Sequence, residues 1–136
     1  MTLTTESESE TAAAGRDLAA RLGPGDVVLL HGDLGTGKTA FVRGMAEGLG
    51  IDPGEVSSPT FTIIQQYSGG RVPLLHVDLY RLEPKEVDDL GLEELGEGSV
   101  VAIEWAERLP RPLEGATRVT LRHDGETRRV LLIDQR

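Results

Sequence analysis

A chain of 136 residues with net charge −9 and no cysteine has room for one sizeable core. It can form neither disulfides nor thiolate metal sites, and it offers bare nucleic acid a poor grip, since phosphate contacts need clustered Lys and Arg. No apolar run approaches the roughly 20 residues of a membrane-spanning helix and no signal peptide is visible, so a cytoplasmic protein with no membrane partner is expected.

Residues 1–10 are Ser, Thr and Glu with almost nothing apolar, and predict a disordered, frayed tail ahead of a single domain over residues 11–136. Thr11 is placed to cap a helix over residues 12–22, with Leu18, Ala19 and Leu22 on one face. That helix leads into the next strand near where an adenine would lie, so Thr11 is also a nucleotide-contact candidate. Gly23-Pro24-Gly25-Asp26 reads as the intervening turn.

Val27-Val28-Leu29-Leu30 is a buried strand by composition. Directly after it, Gly32-Asp33-Leu34-Gly35-Thr36-Gly37-Lys38-Thr39 fits G-x-x-x-x-G-K-[ST], the phosphate-binding loop of P-loop NTPases. Residues 40–49 follow as a helix with Phe41, Val42, Met45 and Leu49 spaced for a buried stripe. Gly32, Gly35 and Gly37 permit close backbone approach, so that successive N–H groups converge on phosphates at a helix N-terminus. Lys38 would reach the β- and γ-phosphates, and the Thr39 hydroxyl would ligate Mg²⁺. Asp33, Leu34, Gly35, Thr36, Gly37, Lys38, Thr39 and Ala40 are therefore the expected nucleotide cradle. The chain contains no Asn and so lacks an N-K-x-D guanine-reading element, which makes ATP the expected nucleotide.

Gly48, Gly50 and Pro53-Gly54 end the helix. Ser57 to Thr60 form a polar loop before a strand over residues 62–67. Thr60 reads equally as a hydroxyl sensing a γ-phosphate or as part of a plain turn set by Pro59. After a turn at Ser68-Gly69-Gly70, a second strand over residues 72–80 carries His76 and Asp78 on one side. An acid after an apolar strand is the Walker B arrangement, which gives Asp78 a role at Mg²⁺; a helix cap or surface acid is the plainer alternative. His76 reads as a structural hydrogen-bonding group rather than a catalyst. Residues 71–110 hold ten acids against four bases. Most of these acids lie in residues 83–98, which read as one solvated acidic helix anchored by Val87, Leu90, Leu92 and Leu95, or else as a docking face for a basic partner. Val100-Val101-Ala102-Ile103 is another buried strand, and Glu104 falls at its carboxyl end, where ligands bind in open α/β sheets. Glu104 would orient water or complete the Mg²⁺ shell, or would simply be an acid at a helix start. Residues 111–136 read as a hairpin turning at Asp124-Gly125, with Arg128 and Arg129 either reaching phosphate or guarding an edge. The fold these elements make is α/β: a three-layer P-loop NTPase fold, with a mixed, mostly parallel sheet, helices on both faces and antiparallel hairpins.

Four stretches taken together resemble one family: Gly32 to Thr39, Ser58-Pro59-Thr60-Phe61, His76-Val77-Asp78-Leu79-Tyr80-Arg81-Leu82 and Ile103-Glu104-Trp105. In order and spacing they are similar to TsaE, the small bacterial ATPase of tRNA threonylcarbamoyladenosine biosynthesis, over residues 11–109. Two positions depart from that pattern: Thr36 stands where Ala is expected and Ala106 where Pro is expected. The resemblance implies ATP on the glycine loop, Mg²⁺ on Thr39, and a loop containing Thr60 that orders with nucleotide. It makes Asp78 the Walker B acid and Glu104 a catalytic or Mg²⁺-linked acid. It also implies action on the TsaB–TsaD heterodimer, with tRNA engaged only indirectly. A small-molecule kinase using Arg43, Arg81 or Arg108 is the competing reading. A regulatory module with negligible hydrolysis is a third.

Overall fold

The computed structural model describes residues 1–33, 36–56, 64–111, 113 and 115–135. In chain order the elements are β1 (Thr2–Thr5), α1 (Glu8–Ala19), β2 (Val27–His31), α2 (Lys38–Gly48), β3 (Ile64–Tyr67), β4 (Leu74–Asp78), α3 (Pro84–Asp88), α4 (Leu92–Leu95), β5 (Val100–Glu104), β6 (Thr117–His123) and β7 (Arg129–Gln135).

The described strands form one sheet in the order β1-β7-β6-β2-β5-β4-β3. The four central strands β6, β2, β5 and β4 run parallel. The flanking pairs β1–β7, β6–β7 and β3–β4 are antiparallel. Strands β2 and β5, and β4 apart from His76, are nearly continuous apolar runs because both of their faces are covered, whereas β6 alternates apolar and polar residues. Val28, Leu30, Leu74, Val100 and Ala102 pack under α1 and α2. Leu29, Leu75, Val77, Val101 and Ile103 pack on the other face against Leu82, Val87, Ala106 and Ala116. The period of two along each strand thus puts Leu30, His76, Asp78 and Glu104 on the face that carries α2.

Helices α1 and α2 meet backbone to backbone. A Cβ on Gly44 would lie 1.8 Å from the Ala12 carbonyl oxygen, and one on Gly15 would lie 2.2 Å from the Phe41 oxygen. Phe41, Val42, Met45 and Leu49 are fully buried, as their spacing predicts. Helix α2 ends in a Schellman arrangement: Gly50 has φ 83°, its N–H donates to the Glu47 carbonyl, and the Ile51 N–H donates to the Ala46 carbonyl at 2.9 Å.

Three expectations are corrected. Residues 2–5 are not a frayed tail: β1 pairs with β7 from Thr2↔Leu132 to Thr5↔Arg129. Threonine suits an edge strand, and Leu3 and Thr5 face inward while Thr2 and Thr4 face water. The cap of α1 is Ser7, not Thr11; the Glu10 N–H donates to the Ser7 hydroxyl. Starting the helix there buries Thr11 against Thr5, with their hydroxyls 2.7 Å apart. The acidic stretch is two short helices rather than one, because Gly91 takes φ 65° between them. That break leaves Leu95 exposed, while Val87 is buried. Strand β3 starts at Ile64; Thr62 and Ile63 lie outside the described residues.

Candidate functional site: a cleft at the carboxyl ends of the parallel strands

Three strand ends converge on the N-terminus of α2. In the β2–β5 register Leu30 stands opposite Glu104, and in the β4–β5 register Asp78 stands opposite Glu104. The loop from β2 enters α2 through Gly37 at φ 99°, a left-handed conformation that favours glycine, and no side chain caps the helix. Among the described residues its first N–H groups therefore have neither an intrahelical partner nor a capping side chain. A cleft of about 260 Å³ opens there, lined by Gly37, Lys38, Thr39, Ala40, Asp78, Glu104 and Trp105, with Ser7, Glu8, Thr11, Arg43, Thr127 and Arg129 around them.

Lys38 and Glu104 are the buried charges of this cleft. Lys38 is 6% exposed and Glu104 5%. The Lys38 Nζ lies 3.8 Å from Glu104 Oε1 and 4.6 Å from the Trp105 ring centroid. A buried ammonium requires such a counter-charge. Trp105 is the one non-glycine residue with positive φ among the described residues, at 59°. That turn, directly after β5, folds the indole back over Lys38. The exposed Tyr80 ring packs on it at 4.8 Å between centroids.

The other oxygen of Glu104, Oε2, is 2.5 Å from His76 Nε2. Asp78 takes the Tyr80 N–H on Oδ1 at 2.9 Å. Burial pushes the Asp78 carboxyl above its ordinary value of 3.8, and the nearby Glu104 charge adds to the rise; the Tyr80 N–H, Lys38 and His76 pull the other way. Among the described residues no group of three or more His, Asp or Glu is arranged to hold a metal. A hydroxyl at Thr39 with a carboxylate at Asp78 is instead a partial set of hard oxygens, of the kind Mg²⁺ completes with water and phosphate.

The cleft therefore gathers Thr11, Gly37, Lys38, Thr39, Ala40, Asp78 and Glu104. Asp33 and Thr36 do not line the cleft but a second hollow with Glu107, Arg122 and His123, which shares Trp105 with it. The Thr36 hydroxyl and N–H both donate to the Asp33 carbonyl. Leu34, Gly35 and Thr60 lie outside the described residues. Ser7, Glu8 and Thr127 were not anticipated as lining residues; Ser7-Glu8-Ser9-Glu10 carries the S-x-x-E signature that would have placed a helix start there. Of the arginines a kinase would need, Arg43 donates to the Val56 carbonyl at 3.1 Å and Arg108 to the Leu82 carbonyl at 3.4 Å. No helix among the described residues is long and apolar enough to cross a membrane.

The family model for "Threonylcarbamoyl adenosine biosynthesis protein TsaE" matches residues 5–131. A "tRNA threonylcarbamoyladenosine biosynthesis protein TsaE" from a Nostoc species is 53% identical over 98 residues, covering 68% of this chain and 60% of that one. One of the same description from a Synechocystis species is 49% identical over 102 residues, covering 71% and 64%. Both matches thus span less than two thirds of the relative's length. The crystal structure of YdiB from Bacillus subtilis superposes with a TM-score of 0.79 at 35% identity, over 99% of this chain and 84% of that one. With the family model matched over residues 5–131, the chain belongs to the TsaE family.

Proposed function

We propose that this protein binds Mg-ATP in the cleft and hydrolyses it, to drive or reset a TsaB–TsaD heterodimer that carries out threonylcarbamoyladenosine modification of tRNA in the cytoplasm. The observation that carries the reading is the pairing of a buried Lys38 at an uncapped helix N-terminus with Glu104 and Asp78 on adjacent strand ends. An uncapped helix start supplies N–H donors to phosphate, and the ammonium supplies charge. Lys38 would leave Glu104 for the β- and γ-phosphates. Thr39 and Asp78 would hold Mg²⁺ with phosphate oxygens completing the shell, and the ion would neutralise charge on those oxygens. Glu104 Oε1, released from Lys38, would accept a hydrogen bond from the attacking water. The net charge of −9 disfavours direct contact with tRNA and leaves a protein partner as the target of the nucleotide cycle.

Calorimetry with Mg-ATP, alone and with TsaB and TsaD supplied, tests the reading. Binding heat in the wild type and its loss in Lys38→Ala are the expected result. No heat under either condition, or ATPase activity unchanged in Lys38→Ala, would overturn it.

A further inference from the structure

His76 is 1% exposed and has no part in the scheme above. It sits on β4 opposite Ala102 of β5. Glu104 is two residues further along β5 on the same face, so it is the diagonal neighbour of His76. The small Ala102 side chain leaves the imidazole room to lean along the sheet, and Nε2 comes within 2.5 Å of Glu104 Oε2. The other ring nitrogen, Nδ1, is buried with no hydrogen-bond partner among the described residues. The Tyr67 ring stands beside it, tilted at 41°.

This asymmetry points the ring toward Glu104. A proton on Nδ1 would be a buried donor without an acceptor, whereas a lone pair there costs less. With no acceptor for Nδ1 among the described residues, the proton the ring can donate is the one on Nε2, toward Glu104 Oε2. Glu104 is thus held by one oxygen from beneath, and its other oxygen faces Lys38 at 3.8 Å. When Lys38 turns to phosphate, a carboxylate without a second anchor would be free to rotate away. With Nε2 on Oε2, Oε1 keeps its aim.

We propose that His76 is the positioning residue for Glu104, holding Oε2 so that Oε1 stays directed into the cleft after Lys38 departs. The inference rests on the reading of the cleft as an ATPase site. It assigns His76 a kinetic consequence beyond packing.

The test is steady-state Mg-ATP hydrolysis with the partner proteins supplied, using His76→Leu, His76→Asn and His76→Gln, each also placed in a Glu104→Ala background. A glutamine amide can present its nitrogen near the Nε2 position; the shorter asparagine cannot. His76→Leu and His76→Asn should lower kcat by about 10- to 100-fold, with KM for Mg-ATP within about threefold of wild type. His76→Gln should recover kcat to within about fivefold of wild type. In the Glu104→Ala background each His76 change should cost less than about twofold more, since a group acting through Glu104 has nothing left to act on. If His76→Leu fails to fold, the Asn and Gln pair carries the comparison. Equal losses in Asn and Gln, a KM effect without a kcat effect, or full multiplication of the losses with Glu104→Ala would overturn the inference. A wild type that binds no Mg-ATP overturns the ATPase reading itself. A wild type that turns over while every His76 variant keeps pace overturns the positioning role alone.

Discussion

Asp78 and Glu104 stand directly opposite each other at the ends of the parallel strands β4 and β5. Two carboxylates at one level of a sheet repel when both are ionised, and they persist here because each has its own compensation. Glu104 faces Lys38 and His76, while Asp78 has the Tyr80 N–H and partial access to solvent.

That imbalance makes Asp78 a cost to the fold. Its folded carboxyl binds a proton more tightly than the unfolded one, mainly through burial and then through Glu104. Its contribution to stability is therefore greatest below the ordinary value of 3.8 and is lost as pH rises through the raised folded value. Asp78→Asn removes the charge and keeps an oxygen for the Tyr80 N–H. It should raise Tm at pH 7 by roughly 1–3 °C, with the gain disappearing below about pH 4, while Mg-ATP hydrolysis falls at least about tenfold. Thermal melts across pH beside an ATPase assay check both halves.

Glu104→Ala should separate binding from turnover. Mg-ATP binding remains detectable, because the helix start and Lys38 are intact, and hydrolysis slows by roughly ten- to a thousandfold. The ligand-free protein should also melt earlier, since Lys38 is left buried without a counter-charge. Calorimetry, single-turnover kinetics and melting with and without Mg-ATP read the three effects.

Gly44→Ala tests the α1–α2 contact. The added methyl would arrive 1.8 Å from the Ala12 carbonyl oxygen, and backbone cannot step aside as a flexible side chain can. A loss of about 1–3 kcal/mol or more is expected, despite the better helix propensity of alanine. Urea unfolding measures it.

The Thr5–Thr11 hydroxyl pair should behave as a unit. Both residues are buried, at 4% and 1% exposure. Either Thr→Val change alone strands a buried hydroxyl and should cost about 1–3 kcal/mol, whereas the double change should cost clearly less than the sum. A double-mutant cycle by chemical denaturation decides it.

What could be read in the sequence tracks how local the cause is. The apolar runs of β2 and β5, the stripe of α2 and the turn at Asp124-Gly125 depend on residues close together in the chain, and each appears as expected. Strand β1 was invisible because its pairing partner β7 lies at the far end of the sequence, and threonines in a polar tail carry no periodicity of their own. The helix break at Gly91 was hidden beneath an apolar pattern that one helix would also have satisfied. At the site, the helix start at Lys38 and the strand-end positions of Asp78 and Glu104 were legible from motif and strand position. The partners of Glu104 were not, since the 2.5 Å contact to His76 needs the β4–β5 register, which no single segment encodes.

The seam between α1 and α2 has a mechanical meaning. Where two backbones touch with no side chain between them, there is no cushion to absorb sliding or rolling. The start of α1, at Ser7 and Glu8, borders the same cleft as Lys38 at the start of α2. The seam thus gives both helix starts one close-fitting support, which a side chain added at Gly15 or Gly44 would force apart.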